Sequence, residues 1–295
     1  MVVSRTAGSK IADGIILIAL LLMAFLCIAP LLHVAAISLS DSAKVSAGLV
    51  SFLPLGINFD SYIKIMNDSR FYEAFGISVQ RVLLGGLINF VLCVLMAYPL
   101  SREKSEFKPR NLYMWFLIFT MMFSAGLVPT YITIKSLHLM DTIWALVLPG
   151  AVPVFNLILL VNFFRNLPKE LDEAAYMDGA GPLYLLFYVY IPLSLPAIAT
   201  ITLFSIVGHW NSFFDGLIYM NYPENFPLQT YISQVVINID PNNITNVNDV
   251  SALAAISNRT LSAAKIFLSM LPILLIYPFL QRYFITGITL GSVKE

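Results

Sequence analysis

The sequence is poor in charged residues, and this shortage excludes an ordinary soluble domain. Only 12% of its 295 residues are Asp, Glu, Lys or Arg, whereas a soluble domain carries about 25%. Such a chain needs a solvent other than water around most of its surface, and lipid meets that need. The 17 basic and 17 acidic residues cancel, so the net charge provides no general attraction to nucleic acid.

Cysteine and histidine are also scarce. Cys27 and Cys93 both lie in apolar runs, where we expect them to pack as small hydrophobic residues and not to form a disulfide. The three histidines are far apart and form no cluster with metal-ligand spacing, so we expect no metal site and no catalytic centre. No Gly-x-x-x-x-Gly-Lys-Ser/Thr loop is present, which argues against ATP binding of that kind by this chain.

Hydrophobic residues make up 58% of the chain, and they are grouped in long runs. A membrane-spanning helix needs about 20 mostly apolar residues to cross a core roughly 30 Å thick. Six stretches meet this requirement, at about Gly14–Ile37, Ile77–Leu100, Leu112–Ile132, Ile143–Phe164, Tyr184–Val207 and Ala264–Phe284. The first run is too long for a signal peptide. We therefore predict an all-α, polytopic membrane protein with about six transmembrane helices.

The distribution of Lys and Arg predicts the orientation. With the N-terminus in the cytoplasm, the inner segments hold about twice as many of these residues as the outer segments, as the positive-inside rule requires. We expect a cytoplasmic N-terminus (1–13), a transmembrane domain (14–285) and a cytoplasmic tail (286–295) in the plasma (inner) membrane. Within the transmembrane domain, 166–182 is an inner segment and 208–262 an outer loop, in which the Asn-rich stretch 240–248 predicts turns.

The inner segment 166–182 has the sequence signals of a short helix. Pro168 suits the first helical position, and the acidic residues that follow it complement the helix dipole. Gly179 can adopt the left-handed conformation that closes a helix, and Pro182 then begins the next one. Leu171, Ala174, Ala175 and Asp178 share one face, which a partner protein could approach closely. The alternative is a polar loop that only joins two spans.

A resemblance favours the first of these interpretations. Glu173-Ala-Ala-Tyr-Met-Asp-Gly-Ala180, followed by Val189-Tyr-Ile-Pro-Leu-Ser-Leu-Pro196, resembles the EAA signature of importer permeases of the ATP-binding-cassette class. The resemblance implies the type I importer permease fold and a coupling helix that docks in a cleft of the ATPase subunit. From this match and the shared helix face, we expect the coupling residues to be Leu171, Glu173, Ala174, Ala175, Asp178, Gly179 and Ala180.

Two further stretches resemble the carbohydrate permeases of this class. His209-Trp-Asn-Ser-Phe-Phe-Asp-Gly-Leu217 is similar to a segment after their fifth span, and Gly287-Ile-Thr-Leu-Gly-Ser-Val-Lys294 is similar to their tail. The group that imports oligosaccharides and polysaccharide fragments is the most similar. The resemblance implies a second homologous permease, two cytoplasmic ATPase subunits that bind ATP and Mg²⁺, and an extracytoplasmic solute-binding protein. The alternatives are an importer of peptides or other small solutes, and a secondary transporter that does not use ATP.

Polar side chains within the spans are candidates for a substrate pathway, because a bilayer tolerates them only beside partners or a cavity. Asn89, Asn156, Asn162, Trp210 and Asn211 combine amide donors with an aromatic face, which suits a sugar. Each asparagine has an alternative role as a hydrogen bond between helices.

An arginine in the second span and a group of proline and glycine residues in the fourth span also predict local structure. Arg81 lies near the outer end of the second span, where it could line the pathway or extend to the headgroups. Pro149, Gly150 and Pro153 predict a break in the middle of the fourth span.

Overall fold

The computed structural model describes residues 7–237 and 259–292. Every regular element in this part of the chain is a helix, so the predicted all-α class is confirmed. The chain divides into two compact units, the first made of 1–69 and 234–271 and the second of 70–233 and 272–295. The stretch 240–248 and the last residues of the tail motif, 293 and 294, lie outside the described residues.

The described residues fold into a series of helices. In chain order they are α1 (Ala7–Ser38), α2 (Ser42–Ser46), α3 (Asp60–Met66), α4 (Ser69–Ser101), α5 (Arg110–Met122), α6 (Leu127–Ser136), α7 (Ile143–Val147), α8 (Val154–Arg165), α9 (Glu170–Met177), α10 (Pro182–Tyr184), α11 (Ile191–Leu193), α12 (Leu195–Asn211), α13 (Phe214–Tyr219), α14 (Leu228–Ile237) and α15 (Arg259–Ser292). Short 3₁₀ turns occupy Leu148–Gly150 and Pro223–Asn225, and a π-helical segment, Leu185–Tyr190, joins α10 to α11.

Three of the described helices are long and apolar enough to cross a membrane unaided: Gly8–Ser38 in α1, all of α4, and Arg259–Ile276 in α15. Three bent pairs pass the same test together. They are α5 with α6 (bent by 112°), Ile143–Gly150 with α8 (45°), and Pro182–Leu193 with α12 (83°). The total is six when each pair is counted as one span, as predicted.

The break in the fourth span lies where Pro149, Gly150 and Pro153 predict it. The third and fifth spans are also broken, which the sequence pattern did not predict. The third span breaks before Gly126, whose φ of 85° no helix accommodates. The fifth breaks at Ser194, between Pro192 and Pro196, because neither proline provides a backbone N–H to continue the hydrogen-bond ladder.

In the first unit, α1 carries no buried residue in its apolar 18-residue window. Polar contacts connect its C-terminal end to the segment that follows, including one of 2.8 Å between the hydroxyls of Ser38 and Tyr62 of α3. Ser40 Oγ accepts from the Leu55 N–H at 3.0 Å, and Asp41 caps α2 through the Ala43 N–H at 3.0 Å. On α15, Lys265 donates to Asp68 at 2.7 Å, and the lysine side chain is only 6% exposed. This unit therefore contains a largely buried ion pair.

The second unit is packed around α4, α8 and the bent fifth span. Its core contains Cys93, Leu157, Leu160, Phe164 and Ile201, all almost completely buried. The predicted packing of Cys93 as a small hydrophobic residue is confirmed, and both cysteines are free.

The Lys265–Asp68 ion pair gives a stability prediction. Asp68→Asn leaves a buried lysine without its counter-charge, so we expect a loss of about 3 kcal/mol, the lower end for a broken buried pair. The double variant Asp68→Asn/Lys265→Met should recover most of the lost stability. Lys64→Gln is the control: it alters an exposed lysine and should not change the stability. The apparent melting temperature of the detergent-purified protein measures all three. A double variant as unstable as the single one would contradict this account.

Candidate functional site

The segment 166–182, between the fourth and fifth spans, contains α9, a helix with no fully buried residue. It begins at Glu170, two residues later than Pro168 predicts. Gly179 has a φ of 77°, so the predicted left-handed closure is confirmed. The Ala180 N–H then returns to the Ala175 carbonyl at 2.9 Å, as in a Schellman-type helix end. The next helix starts at Pro182, as predicted.

The predicted coupling residues do not all lie on one surface of α9. Leu171, Glu173, Ala174, Asp178 and Gly179 are exposed. Ala175 is half-buried and packs against the core of the second unit, and Ala180 is also half-buried. The expectation that Ala175 shares an open face with Ala174 is therefore wrong.

Two further residues of α9 are exposed and apolar. Tyr176 is 46% exposed and Met177 is 88% exposed. Together with Leu171, they are the large apolar side chains that this short helix exposes, and exposed apolar groups of this kind are candidates for contact with a partner.

One side chain of α9, Asp172, points the opposite way into a buried polar cluster. Its carboxylate accepts two hydrogen bonds from Arg102, at 2.5 and 3.4 Å, and a third from the Tyr190 hydroxyl at 2.9 Å. The guanidinium of Arg102 also lies over the rings of Tyr98 and Tyr190, 4.3 and 4.8 Å from their centroids. We call these four residues, Tyr98, Arg102, Asp172 and Tyr190, the Arg102 cluster.

The Arg102 cluster is shielded from water. Arg102 is 8% exposed and Asp172 is 16% exposed. Burial on its own would lower the pKa of Arg102, but the hydrogen bond to Asp172 and the neighbouring tyrosines raise it. The guanidinium is therefore held in its charged form.

A second ion pair, Lys169 with Glu103, lies beside the cluster but in solvent. The hydrogen bond between them lowers the pKa of Glu103 and raises the pKa of Lys169. Because both side chains are exposed, this pair contributes little to stability.

The second candidate feature is a cavity of about 460 Å³, which we call the membrane cavity. Its walls come from α4, from the break between α7 and α8, and from α12 and α13. The polar lining side chains are Arg81, Asn89, Asn156, Ser205, His209, Ser212 and Asp215.

Asn89 satisfies the backbone where the fourth span breaks. Its amide donates to the carbonyls of Gly150 and Ala151 at 2.7 and 3.0 Å. Its carbonyl oxygen lies 2.7 Å from Nε2 of His209. Since that oxygen only accepts, His209 is assigned as the donor at Nε2. The His209 ring fits because residue 85 is glycine: a Cβ there would lie 2.4 Å from Nε2.

Arg81 is turned inward and is only 3% exposed, so the expectation that it extends to the headgroups is wrong. It pairs with Asp215 through both terminal nitrogens and also donates to the carbonyls of Ser212 and Leu146 at 3.3 and 3.4 Å. An arginine inside a membrane needs such a partner. Sequence reasoning did not single out Asp215, although the unpaired arginine is the signal that predicts a nearby carboxylate.

The structure places the five predicted pathway residues in different surroundings. Asn89 and Asn156 line the membrane cavity, where Asn156 donates to the Ile201 carbonyl at 3.2 Å and to Ser205 at 3.3 Å. Asn162 and Asn211 are exposed and are not among the lining residues of this cavity. Trp210 is buried edge-to-face against Phe75, with ring centroids 5.6 Å apart. The pathway role of all five stays a prediction.

No group of three or more His, Cys, Asp and Glu side chains with the geometry to hold a metal ion occurs in the described ranges 7–237 and 259–292.

A family model and several known proteins are similar to this chain over most of its length. The family described as "binding-protein-dependent transport system inner membrane component" matches residues 74–290. The chain is 37% identical over 286 residues to the polygalacturonan/rhamnogalacturonan transport system permease protein YtcP of Bacillus subtilis, covering 97% of this chain and 99% of that protein. It is 39% identical over 268 residues to the protein LplC of the same organism, covering 90% and 89%.

A solved structure is also similar over almost the full length. It is a chain of a bacterial ABC transporter involved in the import of the acidic polysaccharide alginate. The TM-score is 0.84 and the sequence identity is 30%, covering 95% of this chain and 99% of that one.

Adjacent glycines of α4 test the geometry of the membrane cavity. Gly85→Ala should force His209 away from Asn89 and cost about 1–3 kcal/mol, as overpacking does. Gly86→Ala is the matched control, because nothing lies within 4 Å of a Cβ at that position. Thermal unfolding should show a lower transition temperature for the first variant alone. Adding His209→Ala to Gly85→Ala should relieve the clash and restore the transition temperature. Equal stability of Gly85→Ala and Gly86→Ala would refute the contact between residue 85 and His209.

Proposed function

This chain belongs to the family of binding-protein-dependent transport system inner membrane components, and from that premise we propose that it is one permease subunit of an ATP-driven oligosaccharide importer. The observation that carries the proposal is the α9 segment, a short helix with an exposed apolar surface that continues through Pro182 into the fifth span. Its position between two spans suits a contact that receives force from a cytoplasmic partner.

The substrate class follows from the relatives. Polygalacturonan, rhamnogalacturonan and alginate, which the names of similar proteins mention, are all polysaccharides, so we infer a carbohydrate substrate built of several sugar units. The membrane cavity supports this assignment, since its amide, hydroxyl and imidazole groups match the many hydroxyls of a sugar. We assign the pathway to Asn89 and Asn156 in the first place, with Asn162, Trp210 and Asn211 retained as further candidates.

The proposed importer contains other chains. A second homologous permease would complete the translocation pathway, and the uncovered apolar surface of α1 leaves room for lipid and for such a partner. Two cytoplasmic ATPase subunits would bind ATP and Mg²⁺ and dock on α9, and an extracytoplasmic binding protein would deliver the sugar. This chain then binds no cofactor, and both of its termini are cytoplasmic.

Reconstitution tests this function. We expect proteoliposomes that contain the complete complex to take up radiolabelled oligogalacturonates or alginate oligosaccharides only with internal ATP and external binding protein. Proteoliposomes that contain this chain alone should take up neither. Uptake by the chain alone, driven by an ion gradient, would establish the secondary transporter, and uptake of peptides in preference to sugars would establish the other importer class.

Gly179 provides a paired test of the docking segment. A Cβ at this position meets no atom within 4 Å, so only the positive φ opposes a side chain, at a cost of about 1–2 kcal/mol. Gly179→Val should therefore impair binding of the ATPase subunit and its stimulation by loaded binding protein. Gly179→Asn should retain both, because asparagine tolerates this conformation. Equal behaviour of the two variants would remove α9 from the coupling role.

A further inference from the structure

Few side chains of α9 pack against the rest of the protein. Most of its side chains are exposed, and Asp172 and Ala175 are the two that are half-buried against the rest of the second unit. Ala175 contributes one methyl group, whereas Asp172 carries a largely buried charge. We propose that Asp172 is the positioning residue through which movement of α9 reaches both walls of the membrane cavity. This inference rests on the proposed importer function.

The first connection runs to α4. Arg102 follows the last residue of that helix and binds Asp172 with both terminal nitrogens. Its guanidinium is packed against Tyr98, which is itself part of α4. The same helix carries Arg81 and Asn89, which line the membrane cavity. A displacement of Asp172 therefore acts on the inner end of a helix whose middle forms one cavity wall.

The second connection runs to the fifth span. Tyr190 donates its hydroxyl hydrogen to the same carboxylate oxygen that accepts from Arg102. This tyrosine ends the π-helical segment, and short π-helical stretches are frequent at functional sites. The chain continues from it through α11 into α12, which carries Ser205 and His209, two further residues that line the cavity.

Burial makes this connection stiff. Separating Arg102 from Asp172 would leave Asp172 with only the Tyr190 hydroxyl and Arg102 with only the longer contact to Glu106 at 3.8 Å. Breaking a largely buried pair in this way is unfavourable. The exposed Lys169–Glu103 pair has no comparable effect, since water replaces either partner. The Arg102 cluster therefore moves with α9 as one unit, and α9 does not slide over it.

Asp172→Asn keeps the shape of the side chain and removes its charge. Glu170→Gln is the matched control: it makes the same chemical change on the same helix, at an exposed position with no role in the cluster. In the full complex, we expect Asp172→Asn to retain the ATPase subunits and to hydrolyse ATP, since the exposed surface of α9 is unchanged. Sugar uptake per ATP hydrolysed should fall about tenfold, within the usual range of coupling free energies. Glu170→Gln should keep the wild-type ratio.

A distance measurement makes the test independent of transport. Spin labels at Met177→Cys and Lys104→Cys, both exposed, report the position of α9 relative to the end of α4 in a chain whose two native cysteines are replaced. The distance distribution should be narrow in the wild type and broad in Asp172→Asn. If the complex imports no sugar but the distributions differ in this way, the proposed function fails and the role of Asp172 in holding α9 stands.

Tyr190→Phe covers the case in which Asp172→Asn does not fold. It removes one hydroxyl and leaves the arginine pair, so uptake per ATP should fall by less than in Asp172→Asn, with unchanged assembly. Wild-type uptake per ATP together with a narrow distance distribution in both variants would overturn the proposal.

Discussion

The bidentate pair between Arg102 and Asp172 is the interaction on which the position of α9 depends. A helix of eight residues is only marginally stable by itself in water, and α9 buries none of its residues. The pair fixes α9 to the end of α4, and Tyr190 extends the same contact to the fifth span. Without this buried charge, the segment would have only one methyl group and a solvent-exposed ion pair to hold its orientation.

Polar groups in the membrane cavity are also paired, because polar groups in lipid must find partners within the protein. The broken fourth span exposes two carbonyls, and one asparagine satisfies both. Arg81 is neutralised by Asp215 and two further carbonyls. Asn89, which satisfies the carbonyls at the break in the fourth span, therefore also lines the membrane cavity. The same side chain stabilises the broken span and shapes the cavity.

Much of this arrangement could be predicted from the sequence, because apolar length alone determines which segments cross a membrane. Proline and glycine in the fourth span predicted its break, and Gly179 predicted the closure of α9. The breaks in the third and fifth spans were missed, since proline near a helix end also occurs without a bend. The ion pairs of Arg81 with Asp215 and of Arg102 with Asp172 were missed because the paired residues are 134 and 70 positions apart in sequence, and only the packing of the helices brings them together.

The central claim is that a change at the ATPase reaches the membrane cavity through α9 and Asp172. The most direct test measures how fast a thiol reagent modifies Ser205→Cys, at the cavity wall, in the assembled complex without nucleotide and with ATP trapped by vanadate. The account predicts that the modification rate differs several-fold between these two states, as a coupling free energy of about 1 kcal/mol or more requires. It also predicts that adding Asp172→Asn abolishes the difference. An equal nucleotide-dependent difference with and without the Asp172 carboxylate would contradict it.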